Sequence, residues 1–244
     1  MEGLERPAKT PGYDMQVAIL AGGLATRLEA LTRERPKSMV RVWGKPFLSY
    51  QLELLRRQGI EDIVLCTGHL GQQIESYFGN GRKHGVSIKY SIEDRLLGTA
   101  GALKHAESLL ADTFFTLYGD SYLFLDFAAA MHYFQSRNKL ALMTVYKNHN
   151  RYDRSNTVIR GDLVQKFSKR EKTGDMVYIE YGANIFSKKA LSMVPGDCFY
   201  PLDELFSQLI AMGQLLAFEL SARFYEIGSP QGLMEFTEYM RRVE

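Results

Sequence analysis

Apolar positions along the chain change period repeatedly. Residues 17–20, 63–66 and 114–118 are short, nearly unbroken apolar runs closed by glycine, which is the pattern of strands covered on both faces. Between them, Phe47, Leu48, Leu52 and Leu55 recur at helical spacing behind Pro46, which is suited to the first helical position, and Gly59 ends the pattern. Residues 70–78 read as a short helix, 86–91 as an alternating strand, and Gly98 opens a helix through Leu103, Ala106 and Leu110. A helix over 126–137 and a strand over 140–146 follow. The second half is richer in strands, at 157–160, 163–167 and 177–186, then a helix over 202–212 and strands at 216–220 and 224–227. Ser229 and Pro230 supply the N-cap and first residue of a last helix. The repeated strand–helix order predicts an α/β chain: a doubly wound, mostly parallel, Rossmann-like sheet with helices on both faces and a small strand-rich portion in the second half.

Composition narrows the function. A chain of 244 residues with 45% hydrophobic content can bury a sizeable core, and residues 15–244 read as a single domain behind a polar, flexible leader over 1–14. The net charge of +2 lacks the excess of basic groups expected of a nucleic-acid binder. No apolar stretch approaches the roughly 20 residues of a membrane helix. Cys66 and Cys198 form no disulfide or zinc pattern, so a reducing, cytoplasmic setting is expected. The five histidines are scattered without ligand spacing, and Trp43 reads as a packing residue.

Candidate chemistry sits at strand ends, where open α/β sheets bind ligands. Three segments qualify: Leu20-Ala21-Gly22-Gly23, Tyr118-Gly119-Asp120 and Tyr225-Glu226-Ile227-Gly228. In the first, small residues let backbone N–H groups approach anionic oxygens, and Thr26 and Arg27 follow directly. Arg27 adds a planar fork for phosphate, and Lys37, behind Pro36, adds a second cation. Other phosphate motifs fail: the glycines are adjacent rather than spaced as in a dinucleotide fingerprint, and Gly44-Lys45-Pro46 lacks the hydroxyl of a P-loop.

These segments, in order, resemble the sugar-1-phosphate nucleotidyltransferases. The resemblance rests on LAGGLATRL over 20–28, RPKSM over 35–39, GKPFL over 44–48, LGTAGA over 97–102, YGDSYL over 118–123 and EIGSP over 226–230. Within that family the chain looks most like the short heptose-1-phosphate guanylyltransferases. The resemblance implies attack of a sugar 1-phosphate (hexose or heptose) on the α-phosphorus of an NTP, forming an NDP-sugar and pyrophosphate, with Mg2+ as cofactor. It implies that Arg27 stabilises the leaving phosphates and Lys37 the α-phosphate, and that Asp120 and Glu226 hold the metal. It assigns the nucleotide to Leu20, Ala21, Gly22, Gly23, Thr26, Gly98 and Thr99. The sugar phosphate falls to Gly119, Lys169, Glu180 and Gly182, in the strand-rich second half.

Four departures from the family pattern bear on substrate. Glu226 stands where many relatives have aspartate, and Ala25 where most have glycine. Gly101 replaces a glutamine of thymidylyl-type members; the room it leaves favours a purine, so GTP is the first expectation. Glu180 replaces a neutral amide with a group that only accepts hydrogen bonds when ionised, which favours hydroxyl or ammonium donors on the sugar. Two alternatives stay open: transfer to a non-sugar phosphate such as phosphocholine or a phosphonate, and a silent nucleotide-sugar-binding regulator. A homodimer is the default oligomeric expectation.

Overall fold

A computed structural model describes residues 15–23 and 32–243, so Ala25, Thr26, Arg27 and the leader lie outside the described residues. The strands of the main sheet are β1 (Gln16–Leu20), β2 (Asp62–Thr67), β3 (Ser87–Ile92), β4 (Thr113–Tyr118), β5 (Ala141–Lys147), β6 (Thr157–Arg160), β7 (Leu163–Phe167), β8 (Tyr178–Ser187) and β9 (Leu215–Leu220). The helices are α1 (Phe47–Arg57), α2 (Gly71–Phe78), α3 (Gly98–His105), α4 (Phe127–Gln135), α5 (Leu202–Ala211) and α6 (Pro230–Val243).

The strands form one sheet in the order β3-β2-β1-β4-β8-β5-β9-β7-β6. From β3 to β4 all neighbours are parallel. Beyond β4 the sheet is mixed. β8 enters antiparallel between β4 and β5, β9 lies parallel to β5, and β7 and β6 complete an antiparallel edge. The strand-rich second half is therefore a continuation of the same sheet rather than a separate layer.

The alternation of β1 shows why both faces need helices. Val17 and Ile19 pack into a core with Leu48, Leu52 and Leu55 of α1 and Phe127 and Met131 of α4. Ala18, between them, faces a second core with Leu103 of α3 and Leu205, Phe206 and Leu209 of α5. A strand buried on both sides has no polar face to alternate with, hence its continuous apolar run. A third cluster seats α6: Phe236 and Met240 pack with Val42, Phe47 and Tyr50, with the Phe236 and Phe47 rings edge-on at 5.0 Å.

Several local expectations shift by a residue for identifiable reasons. Pro46 is the N-cap of α1, not its first residue, because its extended ψ of 143° keeps it paired with Arg41 in a two-residue hairpin. Asp126 caps α4 by accepting from the Ala129 N–H at 2.9 Å. Ser229 caps α6 by accepting from the Gly232 N–H at 3.0 Å. Residues 224–227 do not join the main sheet; only Tyr225–Glu226 is a strand, pairing antiparallel with Ser121–Tyr122. Among the described residues, no helix is long and apolar enough to cross a membrane.

Candidate active site

The carboxyl ends of β1, β2 and β4 open into a cavity of about 430 Å3. Leu20, Ala21, Gly22, Gly23, Lys37, Gly98, Thr99, Gly119, Asp120 and Lys169 all line it, as the sequence reading grouped them. Backbone contacts hold the first two segments together. The Gly119 N–H donates to the Leu20 carbonyl at 2.9 Å, and the Ala21 N–H to the Cys66 carbonyl at 2.8 Å. A β-carbon on Gly119 would stand 2.9 Å from the Leu20 oxygen, so only glycine permits this approach. The Cys66 thiol, also on the wall, is pushed up to about 12 by burial and stays protonated.

The third segment arrives through the small ladder. Glu226 pairs with Ser121, and the Ile227 N–H donates to the Asp120 carbonyl at 2.9 Å, which sets Glu226 beside Asp120. The Lys37 ammonium forms an ion pair with Asp120. A β-carbon placed on Gly228 would lie 2.6 Å from both the Lys37 Nζ and the Glu226 Oε2, and 3.3 Å from the Asp120 Oδ2. Two acids and one cation thus surround a single point that must stay empty of side chain.

Their carboxylates are held differently. Asp120 Oδ1 accepts from the Ser121 hydroxyl at 3.2 Å, and its side chain keeps 28% exposure on the cavity wall. Glu226 folds back onto the start of α6, accepting from the Gly228 N–H and the Ser229 hydroxyl. The methylene that glutamate has beyond aspartate lets it reach these helix-terminal donors. No group of three or more His, Cys, Asp or Glu that could hold a metal occurs among the described residues. The two carboxylates suit a hard cation that completes its shell with water and phosphate oxygens, which is how Mg2+ binds.

The cavity wall beside Gly22 contains a residue the motifs did not reveal. Glu93 follows directly on β3 and lines the cavity, with its carboxylate against the Gly22 and Gly68 backbones. It accepts from the Leu97 N–H at 3.4 Å, and burial holds its carboxyl above the ordinary range. Its signal in the sequence was the strand-end rule alone: it is the first polar residue past a parallel strand. Gly98 has φ +71° and packs on the Tyr200 carbonyl, which accepts from the Ala100 and Gly101 N–H groups, each at 2.9 Å. Gly101 does not open room for a base, correcting the sequence reading: a β-carbon there would meet the Cys198 carbonyl at 2.8 Å. The Thr99 hydroxyl is engaged as an acceptor for the Leu202 N–H at 2.7 Å, capping α5 from outside.

The residues expected at the sugar phosphate divide. Lys169 reaches the cavity and pairs with Asp203 at 3.2 Å, and the Tyr118 phenol, Glu180 and Asp203 hold its ammonium above the usual lysine range. Glu180 and Gly182 do not line the cavity, unlike their sequence placement as sugar contacts. Glu180 is buried beneath Tyr118, whose hydroxyl donates to it at 3.4 Å, while the Asn184 amide donates at 3.0 Å. Burial raises its carboxyl, partly offset by Lys169. The cause is topological: β8 runs through the middle of the sheet, and the ladder to β5 is interrupted between Glu180 and Asn184, where Gly182 takes φ +102° against Ser121 and Tyr118. Trp43 is 54% exposed, and its indole N–H donates to the Thr237 carbonyl at 3.0 Å.

A β-sheet crevice with a glycine-rich strand end, a lysine and two acids defines the class: the chain belongs to the nucleotidyl transferase family, whose model matches residues 16–238. Within that family it is similar to the D-glycero-alpha-D-manno-heptose 1-phosphate guanylyltransferase of Aneurinibacillus thermoaerophilus, with 39% identity over 148 residues. That match covers 61% of this chain and 64% of the relative's length. The enzyme of the same name from Campylobacter jejuni is 36% identical over 158 residues, covering 64% of this chain and 69% of its own. HddC of Yersinia pseudotuberculosis, solved complexed with GMP-PN, superposes with a TM-score of 0.77 at 27% identity, covering 93% of this chain and 99% of that one.

Proposed function

We propose that this chain transfers a guanylyl group from GTP to a sugar 1-phosphate, hexose or heptose, forming a GDP-sugar and pyrophosphate in the presence of Mg2+. The observation that carries this reading is the meeting of Lys37, Asp120 and Glu226 at Gly228, with Lys37 and Asp120 on the wall of the cavity that Gly22, Gly23 and Gly98 also line. The relatives named as guanylyltransferases and the GMP-PN complex support guanine as the base.

Physically, the reaction demands charge neutralisation and alignment more than covalent help. Gly22 and Gly23, just past β1, line the cavity where triphosphate oxygens would lie. Lys37, only 17% exposed and paired with Asp120, would give a phosphoryl oxygen at the reacting centre an ammonium little screened by water. Glu93 offers a carboxylate to the N1–H and N2–H2 donors of guanine; adenine lacks the matching pair. Lys169 reaches the same cavity and supplies a cation for the sugar phosphate. Asp120 and Glu226 would hold Mg2+, which when bound would supply positive charge for the departing pyrophosphate. Arg27 lies outside the described residues and keeps its proposed role at the leaving phosphates. The reading includes a cytoplasmic location and a homodimer.

A matrix of NTPs against hexose and heptose 1-phosphates, with pyrophosphate release as readout, tests it. GTP with one of these sugars should give the fastest release. Absence of release with every pair, from folded protein with Mg2+, would refute the proposal.

A further inference from the structure

A second cavity, of about 620 Å3, lies outside the active site. Helix α1 presents Ser49, Glu53 and Arg56 to it, one helical turn apart, and Lys45, Tyr77, Arg82, Lys83, His84 and Gly85 complete its walls. The charge is one-sided. Among the described residues, Glu53 is the only acid that lines it, and it is already paired with Arg57 at 2.6 Å. Among the described residues, no ion pair involves Arg56, Arg82 or Lys83.

Three details make this a formed pocket rather than a solvated basic face. Gly85, at φ +73°, lets the Arg56 stem lie across the turn that carries Arg82 and Lys83; a β-carbon there would meet Arg56 Cδ at 2.6 Å. The Ser49 hydroxyl is buried and has no hydrogen-bond partner among the described residues. The Tyr77 ring is 45% exposed while seated edge-on to Phe78 at 4.8 Å and nearly parallel to His84 at 6.2 Å. Arg56, Arg82 and Lys83 outside any ion pair among the described residues, an unsatisfied hydroxyl and an aromatic surface, in a volume typical of ligand pockets, call for a planar ring that carries phosphates.

We propose that this cavity is a second nucleotide site, taking a nucleoside diphosphate with its phosphates on Arg56, Arg82 and Lys83 and its base against Tyr77. The site is one helix from the catalytic turn, since Gln51 of α1 donates to the Tyr118 and Ser121 carbonyls at 2.9 and 2.7 Å. It does not depend on the catalytic reading.

Calorimetric titration with GDP tests the proposal. Wild type should bind two equivalents per chain. Arg82→Glu with Lys83→Glu, both exposed positions, should weaken the second on the order of tenfold or more, as expected for reversed charges. Pyrophosphate release by this double variant should stay within about twofold of wild type. Tyr77→Ala should weaken GDP at the same site but leave binding of inorganic pyrophosphate there unchanged. GDP binding that the double variant leaves unaltered, whether wild type takes up one equivalent or two, or equal loss of pyrophosphate and GDP in Tyr77→Ala would each overturn it.

Discussion

Replacing Gly228 by alanine perturbs the proposed catalytic cluster by a single atom. The new β-carbon would lie 2.6 Å from both the Lys37 Nζ and the Glu226 Oε2, and 3.3 Å from the Asp120 Oδ2. Contact distance for such pairs is about 3.5 Å, so two charged ends must move by roughly 0.9 Å. The φ of Gly228 is not in the left-handed region, so alanine brings no backbone strain of its own. Lys37 is a flexible chain and can give way, whereas Glu226 is held by Gly228 and Ser229. The fold should therefore survive, with the reacting geometry displaced. Misplacement of about 1 Å costs on the order of 100-fold in rate. Steady-state pyrophosphate release should show kcat falling by about that factor, with the melting temperature within roughly 4 °C of wild type. A kcat within about threefold of wild type would mean that the geometry at Gly228 does not govern turnover.

The remaining predictions test individual roles. Lys37→Ala should lower kcat on the order of 100-fold or more, as loss of a transition-state charge partner does, measured with saturating GTP and sugar phosphate. Glu93→Gln should raise KM for GTP by roughly 10- to 100-fold, the worth of a charged hydrogen bond, and leave KM for the sugar phosphate unchanged. Because the Glu93 carboxyl is raised, its anion is present above that pKa and lost as pH falls through it. GTP affinity in wild type should therefore weaken on acidification at a higher pH than an ordinary carboxylate would dictate, and the Gln variant should lack this phase. Thr99→Ala removes the acceptor for the Leu202 N–H and should cost about 1 kcal/mol of stability in chemical denaturation, as loss of a cap does.

The sequence carried the strands that frame the cavity better than the order of the whole sheet. Strands β1, β2 and β4 were legible because burial on both faces leaves an unbroken apolar run, and their ends carry the small and acidic residues that line the cavity. The place of β8 was not legible. Its periodicity says strand, but nothing local says that it inserts antiparallel between β4 and β5 rather than adding at an edge. The resemblance alone put Glu180 at the sugar, whereas the central position of β8 buries it under Tyr118. Gly101 was misread for a related reason: glycine marks close approach without naming the partner, and here the partner is the Cys198 carbonyl. Glu93 escaped because it belongs to no glycine-rich or paired motif. Glu226 was recognised by its motif, but its bonds to Gly228 and Ser229 depend on a turn that only coordinates reveal.

The central claim is that the acids and the lysine gathered at Gly228 form a phosphoryl-transfer centre. Asp120→Asn tests it most directly, since the amide keeps the shape and removes the charge that pairs with Lys37. With GTP, the best sugar 1-phosphate and Mg2+, the variant should release no measurable pyrophosphate while its circular dichroism matches wild type. Release at a rate near that of wild type would contradict the account.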